Sequence, residues 1–153
     1  MLFTVLEDLK NSASTRGDKI VVVDVDTKLT FAQLDSRARL TAEALVNLGI
    51  NPGDRVGVCM SKSADQVISI LSVLYANGIF VPILPTLKYS NIDYIIKDSS
   101  MSAIITDDKR ICEVKPHSKS VSILLSGKNN NKNFLSLPHI SRYLTGEKLP
   151  IFN

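Results

Sequence analysis

The segment Leu71–Pro85, LSVLYANGIFVPILP, constrains the fold more than any other part of the chain. An apolar helical run stops at Asn77-Gly78, and a β-branched run begins within two residues. Glycine at a helix C-terminus is typical of a tight connection to the next element. Pro82 and Pro85 bound the loop that follows the predicted strand. A helix joined so closely to a strand needs further strands and helices beside it, so this segment predicts an α/β fold.

Apolar periodicity and capping patterns predict the helices. Thr30 and Ser63 each stand three residues before a glutamine, which is the pattern of a capping box. Ser90 and Asp93 form a weaker version, in which the acidic residue favours the helix N-terminus. Gly49 is predicted to end the longest helix. Helices are predicted over residues 2–9, 31–48, 64–76 and 91–98, and the third of them is apolar nearly all round.

Short apolar runs between these helices predict strands. They comprise an N-terminal hairpin of Ile20–Val25 and Lys28–Thr30, followed by Arg55–Met60, Ile79–Ile83, Ser102–Thr106 and Ser120–Leu125. Continuous apolar strands that alternate with helices indicate a parallel sheet covered on both faces. We therefore expect a three-layer, doubly wound α/β unit with a mainly parallel sheet and a small N-terminal β-hairpin. It should span residues 1–125, followed over 126–153 by a polar loop and a short helix at 137–144.

Bulk composition favours a globular protein of one domain. The chain has 153 residues, of which 44% are hydrophobic and 22% charged. Its apolar runs are too short to span a bilayer, and no basic leader precedes an apolar block. Cys59 and Cys112 are far apart and form no CxxC pair, which favours free thiols and a reducing compartment. We expect a cytoplasmic location.

The charge is distributed unevenly along the chain. Residues 1–108 carry 10 Lys/Arg and 13 Asp/Glu, whereas residues 109–153 carry 8 and 2. A basic segment of this kind would suit phosphates or nucleic acid, or it would simply be a solvated tail. Since no aromatic residues are interleaved with the basic ones, the solvated tail is favoured and no nucleic-acid partner is expected.

The common phosphate-binding, metal-binding and nucleophile motifs are not found. Gly127-Lys128 lacks the first glycine and the hydroxyl residue of a phosphate-binding P-loop. Neither GxGxxG nor a GxSxG elbow occurs, and a Ser/His/Asp triad stays open only because its members meet in space. His117 and His139 have no neighbouring ligands at metal-binding spacing. The sequence therefore assigns no catalytic, cofactor-binding or metal-binding residue.

Two weaker patterns leave alternatives open. Asp24 and Asp26 would point to the same side of a strand, either as an acid/base pair or as solvated residues flanking a turn. The second interpretation is favoured. Four aromatic residues would either line a pocket or pack in the core and at its rim, which is the commoner role; they are Tyr75, Phe80, Tyr89 and Tyr94.

Five soft motifs in the right order resemble the adenylate-forming enzymes, a family of acyl-CoA synthetases, peptide-synthetase adenylation domains and luciferase-like ligases. Thr30–Leu34, TFAQL, resembles the family's Thr-Tyr-x-Glu-Leu. Gly49–Val58, GINPGDRVGV, looks like its Gly-Val-x-x-Gly-Asp-Arg-Val-Ala. The others are Ser63–Val67, Leu74–Ile83 and Ile92–Ser99, with Ile105-Thr106 completing the series. The resemblance covers roughly residues 1–107.

The resemblance implies ATP-dependent activation of a carboxylic acid. The acid would attack the α-phosphate with Mg²⁺ present, giving an acyl-adenylate and pyrophosphate, and coenzyme A or a carrier-protein arm would then take the acyl group. Pro82–Pro85, PILP, stands where peptide-synthetase domains usually show Pro-Leu/Ile-Asp-Pro, and together with Lys88–Ser90 this favours the acyl-CoA branch. An adenylation domain of a peptide synthetase is the alternative within the family.

The family's phosphate loop, ribose-binding aspartate and catalytic lysine have no match here, so the resemblance transfers no catalytic or ATP-binding residue. It implies an N-terminal portion, inactive by itself, whose partner is the remainder of the enzyme. A binding or dimerisation module derived from the family is a second hypothesis, because an uncovered apolar face would favour a homo-oligomer. A flavodoxin-like nucleotide binder is a third.

Overall fold

The computed structural model describes residues 4–114, 122–126, 134–137 and 140–143. The helices are α1 Val5–Thr15, α2 Phe31–Asn47, α3 Ala64–Tyr75, α4 Tyr89–Ser99 and the single turn α5 Ile111–Val114. The strands are β1 Ile20–Val23, β2 Lys28–Thr30, β3 Arg55–Cys59, β4 Ile79–Pro82, β5 Ala103–Thr106, β6 Ser122–Ser126, β7 Phe134–Leu137 and β8 Ile140–Tyr143.

The described strands form two sheets. β1 and β2 pair as an antiparallel hairpin, as the sequence predicts. The larger sheet has the order β4-β3-β5-β6-β8-β7. Its first four strands are parallel neighbours, with β3 between β4 and β5. The prediction of a doubly wound, mainly parallel α/β unit is confirmed.

Helices cover both faces of the parallel strands, because successive side chains of a strand point to opposite faces. On one face, Val56 and Val58 of β3 pack with Leu45 of α2 and Val73 of α3. On the other face, Cys59 lies in a cluster with residues of α4 and α5, among them Ile92, Ile96 and Val114. A third cluster joins α1 and the hairpin to the outside of α2 and α3; it contains Leu9, Leu29, Leu34, Ala38, Ala64, Ile68 and Leu71.

The joint between α3 and β4 is tight, as predicted, but asparagine makes the turn. Asn77 has the left-handed backbone (φ 57°), whereas Gly78 does not. The Asn77 N–H donates to the Leu74 carbonyl at 3.0 Å and the Gly78 N–H to the Val73 carbonyl at 2.9 Å, which together make a Schellman motif. Gly78 is small for a different reason: a Cβ there would lie 3.2 Å from the carbonyl oxygens of Asp54 and Val73.

Helix starts agree with the capping patterns in one case and differ in others. Thr30 and Gln33 form the full capping box of α2. Ser63 accepts from the Gln66 N–H, but the Gln66 side chain donates to the Met60 carbonyl instead of returning to the cap. The predicted cap at Ser90 is wrong, since α4 begins at Tyr89 without a side-chain cap.

The first helix is longer and later than predicted. The sequence places it over 2–9 and assigns a loop to 10–19, whereas α1 spans Val5–Thr15. Thr4 and Glu7 form a reciprocal capping box that fixes its first turn. The apolar spacing of its first turns gave no sign of how far the polar second half would continue.

The predicted short helix over 137–144 is also wrong, because this region contributes β7 and β8. β8 pairs with the free edge of β6, and β7 pairs with β8, both antiparallel. Pairing with an existing sheet edge satisfies backbone groups over a distance that local periodicity does not show. The boundary of the α/β unit at residue 125 stays a prediction.

Candidate functional site

A crevice opens between the carboxyl ends of β3 and β5. From β3 the chain crosses through α3 to β4 on one side, whereas from β5 it continues to β6 on the other side. Such a switch point is where open α/β sheets bind ligands. The cavity has a volume of about 520 Å³. Its walls are residues 60–63 and Asp65 after β3, residues 107–109 after β5, and Asp24–Thr27 from the hairpin turn.

Asp24 ties the hairpin turn to the start of α3. One of its carboxylate oxygens accepts from the Ala64 N–H at 2.9 Å and the other from the Val25 N–H at 2.7 Å. These two N–H donors lower the pKa of Asp24. The sequence interpretation of Asp24 and Asp26 as similar solvated residues is therefore wrong for Asp24, which is half-buried and caps α3, whereas Asp26 is exposed.

Asp107 plays the corresponding role on the other wall. One carboxylate oxygen accepts from the Ser61 N–H at 2.8 Å, and the other accepts from the Arg110 N–H at 2.9 Å. This side chain therefore fixes the loop after β3 against the loop after β5. Sequence reasoning missed Asp107, although its position directly after a buried strand could have identified it.

The crevice does not suit a polyphosphate. Its lining carries five aspartates and two lysines. The first free N–H groups of α3, which would otherwise attract an anion, already bond Asp24 and Ser63. Among the described residues, no three His, Cys, Asp or Glu side chains converge on a point where they would hold a metal ion.

A second polar cluster lies beside the crevice, around Arg110. Its side chain is 14% exposed, and the guanidinium donates to a Glu113 carboxylate oxygen at 3.2 Å and to the Leu87 carbonyl at 3.1 Å. The Leu87 contact joins residues 23 positions apart in the sequence. The Nε of Arg110 and one oxygen of Glu113 are buried without a hydrogen-bond partner. The sequence offered no signal for this cluster.

The two cysteines differ in environment, and both are free, as predicted. Burial raises the pKa of the Cys59 thiol, which the nearby Arg110 only partly offsets. A thiol with a raised pKa is a poor nucleophile at neutral pH. Cys112 is exposed. The geometry therefore assigns Cys59 to the core.

The four aromatic residues do not form one site. Tyr75 and Phe80 are half-buried against the core, whereas Tyr89 and Tyr94 are exposed. The Tyr75 hydroxyl bonds Asp35, and Lys10 and Arg39 lie over its ring at 5.4 and 5.0 Å. Burial, followed by the bond to Asp35, raises the pKa of Tyr75 to about 12. The prediction of core and rim packing describes Tyr75 and Phe80 well.

Several sequence candidates lie outside the described residues, namely His117, Gly127-Lys128 and His139. No described helix combines the length and the apolar character that a membrane crossing requires.

Comparisons with known proteins agree with this geometry. The model of one protein family, described as AMP-binding enzyme, matches residues 9–141. The N-(5-amino-5-carboxypentanoyl)-L-cysteinyl-D-valine synthase of Penicillium chrysogenum is 34% identical over 122 residues, which are 79% of this chain and 3% of that protein. Nonribosomal peptide synthetase gloA of Glarea lozoyensis is 36% identical over 115 residues, 72% of this chain and 2% of that protein.

Solved structures of ligases share the fold. The anthranilate CoA ligase AuaEII, solved with anthranoyl-AMP, superposes with a TM-score of 0.79 at 23% identity, covering 88% of this chain and 27% of that one. A benzoate CoA ligase from Burkholderia xenovorans LB400 gives 0.75 at 26% identity, covering 84% and 26%. The chain thus spans about a quarter of these ligases and a far smaller part of the synthetases.

Proposed function

Because the chain belongs to the AMP-binding enzyme family, we propose that it is the N-terminal portion of an AMP-forming acid–thiol ligase. The parent enzyme would join a carboxylic acid to ATP, giving an acyl-adenylate and pyrophosphate, and would then transfer the acyl group to a thiol. The observation that carries this proposal is the family match over residues 9–141. The adenylate bound by a ligase with the same fold gives further support.

Within that enzyme, the described residues would serve as scaffold. The acidic crevice offers no cradle for ATP or Mg²⁺, since its free helix N–H groups are used by Asp24 and Ser63. We therefore assign no contact with ATP, Mg²⁺ or coenzyme A to these residues, and we propose that the 153-residue chain is inactive alone. The partner would be the remainder of the enzyme, and the location the cytoplasm.

The proposed acceptor is coenzyme A. Leu84 stands in the proline loop where the resemblance leads one to expect an aspartate in peptide-synthetase domains. The competing acceptor is the phosphopantetheine arm of a carrier protein, which is favoured by the identity of 34–36% to peptide synthetases. These two acceptors share the same first half-reaction and differ only in the second.

ATP–pyrophosphate exchange tests the proposal directly. The 153-residue chain and the polypeptide from the whole reading frame that contains it are each assayed with a panel of carboxylic acids. We expect exchange only in the longer polypeptide. Exchange by the short chain would contradict its inactivity, and no exchange by the longer polypeptide with any acid would contradict the ligase assignment.

The acceptor is then tested with the same longer polypeptide. Thioester formation is measured with coenzyme A and, separately, with a phosphopantetheinylated carrier protein. Faster transfer to coenzyme A is expected. Faster transfer to the carrier would replace the proposed acceptor without affecting the first half-reaction.

A further inference from the structure

The loop between β4 and α4 has few ties of its own. The Ile83 N–H donates to the Val58 carbonyl at 3.1 Å, and the Leu87 N–H donates back to the Leu84 carbonyl at 3.1 Å. α4 then begins at Tyr89, and its cap residue Lys88 makes no side-chain capping bond. Within the described part of the chain, the one side-chain hydrogen bond to the backbone of residues 83–88 comes from Arg110.

Arg110 is itself held firmly. Its backbone N–H bonds the Asp107 carboxylate, whose other oxygen bonds the Ser61 N–H. Its guanidinium reaches outward to Glu113 and Leu87 at once. A planar guanidinium can hold two acceptors in fixed directions, which an ammonium cannot do as well. Asp107 and Arg110 therefore connect the loops that follow β3, β4 and β5.

We propose that Arg110 is a positioning residue: through the Leu87 carbonyl it fixes the proline loop, residues 83–88, at the carboxyl edge of the sheet, and through the loop it supports binding of the carboxylic acid. The loop carries Pro85 and the exposed side chain of Leu84. Such an apolar segment suits the hydrocarbon part of an acid and offers nothing to a polyphosphate. The acid-binding part of this inference rests on the proposed function, whereas the placement of the loop does not.

Hydrogen exchange on the 153-residue chain tests the placement of the loop. In Arg110→Met, amides of residues 84–91 are expected to exchange at least about tenfold faster, while those of α3 are unchanged, because local opening does not require global unfolding. Arg110→Lys should fall between wild type and Arg110→Met. Equal acceleration in α3 would mean a general structural role, and unchanged exchange in the loop would mean no tie; either result overturns the proposal.

Two control variants isolate the contact with Leu87. Glu113→Gln removes the charge of the ion-pair partner but keeps a carbonyl oxygen for Arg110, so the loop should stay protected. Loop exchange as fast in Glu113→Gln as in Arg110→Met would show that the ion pair, not the Leu87 contact, holds the loop. Arg39→Met, on the opposite face of the sheet, should leave the loop unchanged.

Steady-state pyrophosphate exchange by the longer polypeptide tests the effect on binding. Arg110→Met is expected to raise KM for the acid about tenfold while changing kcat by less than about twofold, as for loss of uniform binding. A fall in kcat with KM unchanged, or no kinetic effect, would overturn the link to the acid. If wild type shows no exchange at all, the proposed function fails, and hydrogen exchange still decides the placement of the loop.

Discussion

The two faces of the parallel sheet are covered in different ways. On the face of α2 and α3, a further layer of α1 and the β1–β2 hairpin packs outside the helices, and the contacts are almost entirely apolar. On the face of α4 and α5 there is one layer, and a buried ion pair of Arg110 and Glu113 lies at its carboxyl end.

This difference separates stability from placement. Burial of apolar area is the main stabilising contribution and has no direction, so the thicker face should carry more of the free energy of unfolding. A hydrogen-bonded charge adds little net stability but is directional. The thinner face therefore provides the contacts that determine where loops lie.

The largest effect is expected from truncating the thicker face. Leu45→Ala, at a side chain with no exposure, should lower the free energy of unfolding by about 3–5 kcal/mol, because the backing layer prevents the cavity from collapsing. Ile92→Ala, equally buried on the thinner face, should cost about 2–3 kcal/mol. Urea denaturation measures both, and Val46→Ala, which is exposed, is the control. A larger loss for Ile92→Ala would reverse the comparison.

Overfilling the thinner face should have the next largest effect. A Cβ at Gly57 would lie 2.9 Å from Ile83 Cδ1, 3.0 Å from Met101 Sδ and 3.2 Å from Ile104 Cγ1. Gly57→Ala should therefore cost about 1–3 kcal/mol, since a packed core must shift to accept it. Wild-type stability for this variant in thermal denaturation would show that the thinner face adapts more easily than its packing indicates.

The turn that ends α3 provides a smaller test on the thicker face. Asn77→Ala should cost about 1–2 kcal/mol because the left-handed backbone at φ 57° is unfavourable for alanine. Asn77→Gly accepts this conformation, so it should lose less. Circular dichroism during chemical denaturation compares the two, and equal losses would mean that the side chain of Asn77, not its backbone, matters.

The smallest expected effect is a pH dependence at Asp24. Its pKa is lowered in the folded protein by the Ala64 and Val25 N–H groups, so it contributes stability above its ordinary pKa of 3.8 and loses it as the pH falls through the lowered value. Asp24→Asn should be less stable than wild type at pH 7, and the difference should shrink below pH 3.8. A constant difference across this range would contradict the capping role.

The order of elements could be predicted from the sequence, because it depends on local patterns. The capping box at Thr30 and the glycine at position 49 mark the two ends of α2, and both are found. The apolar pattern of α3 correctly indicated a buried helix, and half of its twelve residues are buried.

What could not be predicted depends on partners far apart in the chain. Asp24 bonds Ala64, Asp107 bonds Ser61, and Arg110 bonds Leu87, and none of these pairs shares a motif. For the same reason β8 was mistaken for part of a helix, since its strand character comes from pairing with β6. Local sequence records how a segment folds, but not which loop end it will meet.

The contrast between Cys59 and Cys112 has a practical consequence. The chain has two cysteines, one buried with a raised pKa and one exposed. A thiol reagent at neutral pH should therefore react with Cys112 in a fast phase and with Cys59 only when the sheet opens. The slow phase would report the opening equilibrium around β3 without an engineered probe, and comparing it among variants would give each one's effect on that opening.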